Sequence, residues 1–62
     1  MMTRKDYVAT AKILNDNIEH MHPAAFAEIV SKFADYMAMD NDRFDYEKFT
    51  EACYAWDYIH LR

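Results

Sequence analysis

The 62-residue sequence contains no glycine, one proline and one cysteine. Glycine weakens helix interiors, so its absence suits a helical chain. The single cysteine, Cys53, excludes an internal disulfide and favours a reducing compartment. β-Branched residues are sparse and no polar–apolar alternation occurs, which argues against a sheet. No apolar run approaches the roughly 20 residues that cross a bilayer, and the N-terminal residues do not resemble a secretion signal.

Basic residues are also few, and acidic residues outnumber them, so the net charge is −4. Residues 1–34 hold four acids and four bases, whereas residues 35–57 hold seven acids and two bases. Proteins that bind nucleic acid need a basic footprint to displace counterions, so direct binding of nucleic acid is disfavoured. A basic partner, or a surface that imitates nucleic acid, is compatible with the charge.

Apolar residues recur in three sets with the 4-3 spacing of one helix side. The sets are Tyr7, Ala11, Leu14, Ile18 and Met21; Phe26, Val30, Phe33 and Met37; and Phe49, Cys53, Trp56 and His60. We therefore predict an all-α fold, a small three-helix bundle that forms a single domain over residues 1–62. Its helices are expected near residues 4–20, 23–39 and 46–60, and the short connection after the first predicts that helices 1 and 2 are antiparallel neighbours.

Local signals mark where each predicted helix begins. Thr3 followed by Asp6 resembles a capping box. Pro23 fits the first turn of helix 2, where its missing amide costs little. Asp45 is expected to cap helix 3, with Phe44 and Phe49 near the spacing of a hydrophobic staple.

Helix 3 carries apolar residues on more sides than a small bundle can bury. Its predicted core face contains Phe49, Ala52, Cys53, Trp56 and Ile59. Tyr54, Tyr58 and Leu61 fall about 120–180° away from Phe49 at about 100° per residue. Because tyrosine suits protein interfaces, we predict contacts with a partner at these three residues, with Tyr46 and Arg43 at the rim. The alternative is that exposed tyrosines are ordinary on a protein surface.

Acidic residues cluster in the C-terminal half. The cluster consists of Asp35, Asp40, Asp42, Asp45, Glu47 and Glu51. It is either a solvated surface or a docking patch for a basic partner. Asp40, Asp42 and Glu51 also match three positions of a calcium-binding loop, but Phe44 and Asp45 stand where a ligand and a glycine are required. With no pair of ligands to complete His20 and His22, we predict neither a metal nor a cofactor.

Two stretches of the sequence form distinct local motifs. The first is Thr3-Arg4-Lys5-Asp6-Tyr7 with Ala11 a turn later. The second is Asp40-Asn41-Asp42-Arg43-Phe44-Asp45, followed by Phe49 and Ala52-Cys53. Together they resemble a family of small uncharacterised bacteriophage proteins, which commonly have proline in place of Asp42. The resemblance implies a phage or prophage origin and expression in the cytoplasm of a bacterial host. It implies no activity and no functional residues.

Three functions remain open, none of them catalytic. The first is a small protein-interaction module that binds itself or a host protein through the outer face of helix 3. The second is an acidic inhibitor of a host nucleic-acid-handling protein, of the anti-restriction or anti-CRISPR type, that works through the acidic cluster. The third, a helix-turn-helix regulator, is disfavoured because helix 3 is acidic and aromatic where lysine and arginine are needed. An enzyme ranks last, since a domain this small has little room for a deep pocket.

Overall fold

The computed structural model describes residues 2–56. Within them lie three α-helices, and no β-strand is present in this part of the chain: α1 at Arg4–Asp16, α2 at Pro23–Asp40 and α3 at Tyr46–Tyr54. A short 3₁₀ helix at Ile18–His20 follows α1. The all-α class and the three-helix bundle are therefore confirmed.

Each helix begins at the predicted residue. Thr3 and Asp6 form a capping box at α1, in which the Thr3 amide donates a hydrogen bond to Asp6 Oδ2 at 2.8 Å. Pro23 is the first residue of α2, and the extended backbone of His22 before it is the conformation that a following proline imposes. The side chain of Asp45 accepts a hydrogen bond from the Lys48 amide at 3.0 Å, which caps α3.

The first helix is shorter than predicted. The α-helix ends at Asp16, so the prediction that it reaches residue 20 is wrong. At Asn17 the backbone amide turns back to the Leu14 carbonyl, and the side-chain Nδ2 donates to the Ile13 carbonyl at 2.8 Å. Asparagine side chains compete in this way for backbone groups, and the chain continues as a 3₁₀ turn.

The predicted third helix is interrupted, because α3 ends at Tyr54 and Ala55 leaves helical geometry, whereas Trp56 is again helical. Alanine is a strong helix former, so local propensity does not explain this end. Instead, Asn15 Nδ2 of α1 donates to the Cys53 carbonyl at 2.8 Å and satisfies an acceptor that an ending helix leaves open. The predicted helical residues 57–60 lie outside the described part of the chain.

The central element of the bundle is α3, which packs against both α1 and α2. The Met2 amide donates to Asp40 Oδ2 at 2.6 Å, so the start of α1 lies beside the end of α2. The start of α1 also lies near the start of α3, where the rings of Tyr7 and Phe44 meet edge-on at 4.7 Å. Helices α1 and α2 therefore run in opposite directions, as predicted, but they are joined chiefly through α3 and not as direct neighbours.

The core contains nine buried side chains: Ala11, Leu14, Phe26, Val30, Ala34, Met37, Phe49, Ala52 and Cys53. Four of them are small, which lets the helices approach closely. One prediction fails here, because Phe33 is 42% exposed and the neighbouring Ala34 is buried in its place. The small alanine accommodates the close packing, and the bulky phenylalanine next to it turns towards solvent.

Candidate functional site

The solvent-facing side of α3 combines aromatic and acidic residues. We name it the α3 face, and it consists of Tyr46, Glu47, Thr50, Glu51 and Tyr54. The first four line a shallow surface depression. Lys48, the one cation of α3, falls about 130° from the centre of this face at about 100° per residue. The face therefore presents two carboxylates and two aromatic rings with no cation from its own helix.

The two tyrosines lie at the two ends of the α3 face, and each packs against an aromatic ring from outside α3. Tyr54 is 47% exposed and meets Phe26 of α2 edge-on, with ring centroids 5.1 Å apart. Tyr46 is 41% exposed and stacks edge-on with Phe44 at 6.5 Å. Phe44 also contacts Phe49 at 5.5 Å, which confirms the predicted contact across the start of α3. Each tyrosine thus has one buried side and one side open to a partner, which is a pre-ordered arrangement for binding.

Of the other residues predicted at the interface, Arg43 is exposed beside the start of α3. Its backbone amide donates to Asn41 Oδ1 at 3.0 Å, which fixes the turn before α3 and leaves the guanidinium outside the core. Tyr58 and Leu61 lie outside the described residues. The contacts predicted at these two positions stay predictions.

The six acidic residues do not form one equivalent cluster. The carboxylates of Asp40 and Asp45 accept hydrogen bonds from backbone amides of Met2 and Lys48, so both have roles in the fold. The other four carboxylates make no hydrogen bond or ion pair with any residue between positions 2 and 56. They belong to Asp35, Asp42, Glu47 and Glu51, and all four are exposed. Only the last two share a helix face with exposed aromatic rings.

A second surface was not anticipated from the sequence. We name it the α1/α2 groove, an open furrow lined by Met2, Asp6, Ala9, Thr10, Tyr36 and Asp40. No residue of α3 lines it. Ile13, one turn after Ala9, and Phe33, one turn before Tyr36, are also exposed and lie on the same sides of their helices by helical periodicity. The sequence does contain a signal, since Ile29, Phe33 and Tyr36 form a second 4-3 stripe beside the core stripe of α2.

The described residues contain no recognisable arrangement of catalytic or metal-binding side chains. Cys53 is fully buried, and burial raises the pKa of its thiol to about 11, so the nucleophilic thiolate is scarce at neutral pH. No group of three or more histidine, cysteine, aspartate or glutamate side chains between positions 2 and 56 is arranged to hold a metal ion. His22 Nδ1 instead accepts a hydrogen bond from the Ala24 amide at 3.1 Å, which caps α2.

Comparison with known proteins gives no family: no protein-family model matches the chain, and neither a curated protein nor a solved structure matches it. The phage origin therefore stays a prediction. Within the described residues, no helix has the length and apolar character required to span a membrane.

Proposed function

We propose that the chain is a small, non-catalytic protein-interaction module that binds a partner protein through the α3 face. The observation that carries the proposal is the pairing, on one helix face, of half-exposed tyrosines with carboxylates that have no partner among residues 2–56. Aromatic residues are enriched at protein interfaces because they offer a large apolar area and a polar tip. The resemblance to phage proteins favours a bacterial host protein as the partner.

The negative charge of the α3 face determines which kind of partner protein would complement it. Glu47 and Glu51 lie one turn apart, and no cation of α3 shares their face. Two copies that met through this face would place like charges together, which is unfavourable. The complementary partner is a helix or loop that carries lysine or arginine beside apolar side chains. Salt would weaken such a complex, since the contacts lie at a solvent-exposed rim.

An NMR titration with three synthetic amphipathic peptides tests the proposal directly. The peptides share one apolar face and differ only in carrying lysine, glutamine or glutamate on the other. The cationic peptide is expected to shift the amide signals of the α3 face, centred on Thr50, and to lose affinity as salt rises. The neutral peptide should bind more weakly and the anionic peptide not at all.

Charge-matched variants decide whether the binding belongs to this face. Glu47→Lys with Glu51→Lys should abolish the cationic peptide's shifts. Glu19→Lys with Asp42→Lys makes the same change in net charge at exposed positions off the face and should leave binding largely intact. Equal losses in the two variants, or no shifts on α3, would overturn the assignment of the site.

The second candidate is the acidic inhibitor of a nucleic-acid-handling host protein. It is favoured by four exposed carboxylates without partners in residues 2–56, which extend from the exposed side of α2 across the turn to α3. This function predicts that Asp35→Lys and Asp42→Lys weaken inhibition of host nucleases or DNA-binding proteins as strongly as changes at Glu47 and Glu51. If inhibition is unchanged by substitutions at Asp35 and Asp42, this second candidate function is eliminated.

A further inference from the structure

The α1/α2 groove lies where the start of α1 meets the end of α2. The hydrogen bond from the Met2 amide to Asp40 Oδ2 holds these two helix ends together at 2.6 Å. Residues of both ends line a volume of about 540 Å³ that is wide open to solvent. Pockets for small molecules enclose most of their ligand, and an open furrow does not. A side chain on the surface of another protein is therefore the better fit.

Two carboxylates line the groove and give it a negative charge. Asp6 Oδ2 accepts hydrogen bonds from the Thr3 amide at 2.8 Å and the Thr3 hydroxyl at 3.3 Å, and Asp40 Oδ2 accepts from the Met2 amide. In both aspartates, Oδ1 accepts no hydrogen bond from any residue between positions 2 and 56. Each carboxylate therefore serves the fold through one oxygen and leaves the other open to a donor.

The surroundings of the groove do not neutralise these carboxylates. The start of α1 and the end of α2 carry partial charges of opposite sign, about half an elementary charge each, which roughly cancel. Among the described lining residues there is no lysine, arginine or histidine. Lys5 falls at the rim by helical periodicity, one turn before Ala9, so its single charge offsets the two carboxylates only in part. The groove is thus complementary to a cationic side chain.

Tyr36 adds an aromatic surface beside the carboxylates. It is 58% exposed and lines the groove, and unlike Tyr46 and Tyr54 it stacks on no other ring within residues 2–56. A guanidinium group can lie on a tyrosine ring and donate hydrogen bonds to carboxylates at the same time. An ammonium group is a compact, strongly hydrated charge that does this less well. The combination favours arginine over lysine.

We infer that the α1/α2 groove is a docking site for an arginine side chain of a partner protein, which lies against Tyr36 and donates hydrogen bonds to Asp6 and Asp40. The site is separate from the α3 face, because no residue of α3 lines the groove. Exposed charge pairs contribute little affinity each. The arginine therefore orients a larger partner and adds specificity to an interface, and does not hold a complex by itself.

An NMR titration with three capped five-residue peptides tests the inference. The peptides are alanine apart from the central residue, which is arginine, lysine or citrulline; citrulline has nearly the shape of arginine and no charge. At millimolar concentration the arginine peptide is expected to shift the amide signals of Ala9, Thr10 and Tyr36. The lysine peptide should bind there more weakly, and the citrulline peptide should produce no shift.

Two charge-matched double variants locate the binding. Asp6→Asn with Asp40→Asn removes both charges, and asparagine still offers an oxygen to the amides of Thr3 and Met2, so circular dichroism should show an unchanged helix content. This variant should raise the dissociation constant of the arginine peptide about threefold or more. Glu47→Gln with Glu51→Gln makes the same charge change on the α3 face and should leave the shifts at Ala9 and Thr10 unchanged.

The aromatic part of the site is tested at Tyr36. Tyr36→Leu keeps an apolar side chain but removes the ring, and it should raise the dissociation constant about two- to fivefold. Tyr36→Phe keeps the ring and should bind nearly as the wild type does.

Three results would overturn the inference. They are the absence of arginine-dependent shifts at the groove, equal losses in the two double variants, and binding of the lysine peptide as tight as that of the arginine peptide. Shifts confined to α3 would also overturn it, while leaving the proposed function of the α3 face in place. Failure of the α3 face to bind amphipathic peptides would leave the groove unaffected.

Discussion

The two sides of the α1–α2 pair differ sharply although the same helices form both. On the closed side, α3 fills the space and buries Phe26, Ala34 and Cys53. On the open side, Phe33 and Tyr36 of the same α2 helix remain exposed, as does Ile13 of α1. Helix α2 therefore has two adjacent apolar stripes, of which residues 2–56 bury mainly one. Hydrophobic spacing alone does not distinguish a stripe that makes the core from one that faces solvent.

The largest expected effect comes from truncating one phenylalanine on the closed side of α2 and comparing it with the same truncation on the open side. Phe26→Ala should lower the free energy of unfolding by about 3–5 kcal/mol, because it leaves a cavity and removes the support of Tyr54. A domain of 62 residues is expected to have only about 3–9 kcal/mol in total, so the loss should be at least about a third of its stability. Phe33→Ala should cost about 1 kcal/mol or less. Urea denaturation at concentrations where the chain is monomeric measures both, and equal losses would remove the distinction between the sides.

The centre of the closed side is expected to respond to alkaline pH. The pKa of Cys53 is raised from 9.0 to about 11 in the folded chain, so the unfolded chain loses this proton at lower pH. Stability should therefore be unaffected by this group below about pH 9 and fall between about pH 9 and 11, by roughly 1–3 kcal/mol. The difference between wild type and Cys53→Ala isolates the effect from the tyrosines and lysines. A pH-independent difference would contradict burial of the thiol.

The end of α3 depends on one side chain of α1. Asn15→Ala removes the hydrogen bond to the Cys53 carbonyl and should cost about 1–2 kcal/mol. Hydrogen exchange should accelerate at the Ala55 amide, which bonds to the Glu51 carbonyl in the last turn. Asn17→Ala, which removes a bond within α1 alone, serves as the control and should leave exchange in α3 unchanged.

The two acidic residues before α3, Asp42 and Asp45, should differ in their effect on stability, because only Asp45 caps the helix. Asp45→Ala removes the cap of α3 and is expected to cost about 1 kcal/mol. Asp42→Ala, three residues earlier and exposed, should stay within about 0.5 kcal/mol of wild type. Thermal unfolding of the two variants side by side gives the comparison. An equal loss at Asp42 would mean that the turn before α3 relies on charges and not on the cap.

The smallest effect is expected at the ion pairs beside the groove. Glu28→Gln breaks the pair with Lys32, and both side chains are well exposed. Exposed pairs one turn apart contribute about 0.3–0.5 kcal/mol, so stability should barely change. A large loss of monomer stability would show that the open side contributes to the fold.

Local signals were sufficient to predict the helices and their starts. Thr3, Pro23 and Asp45 act within one turn of their own position, and the structure confirms all three starts. The helix ends were less predictable. The end of α3 depends on Asn15, which lies 38 residues from its acceptor, and no local pattern contains that contact. The burial of Ala34 in place of Phe33 likewise follows from how closely the helices pack.

The candidate site was predictable only in part. The partial exposure of Tyr46 and Tyr54 follows from their place off the core stripe, but the rings that support them, Phe44 and Phe26, belong to other elements. The groove was missed because a short connection suggests that two helices pack face to face. In the structure the rest of α1 and α2 diverges around α3, and only the full arrangement shows which flanks stay open.

The central position of α3 has a consequence for biosynthesis. Helices α1 and α2 leave the ribosome before α3, and on their own they share little contact surface. A nascent chain therefore carries two amphipathic helices without a common core until α3 emerges. This domain should then stay unfolded until α3 is available, and ribosome-bound chains arrested before Tyr46 should remain sensitive to protease.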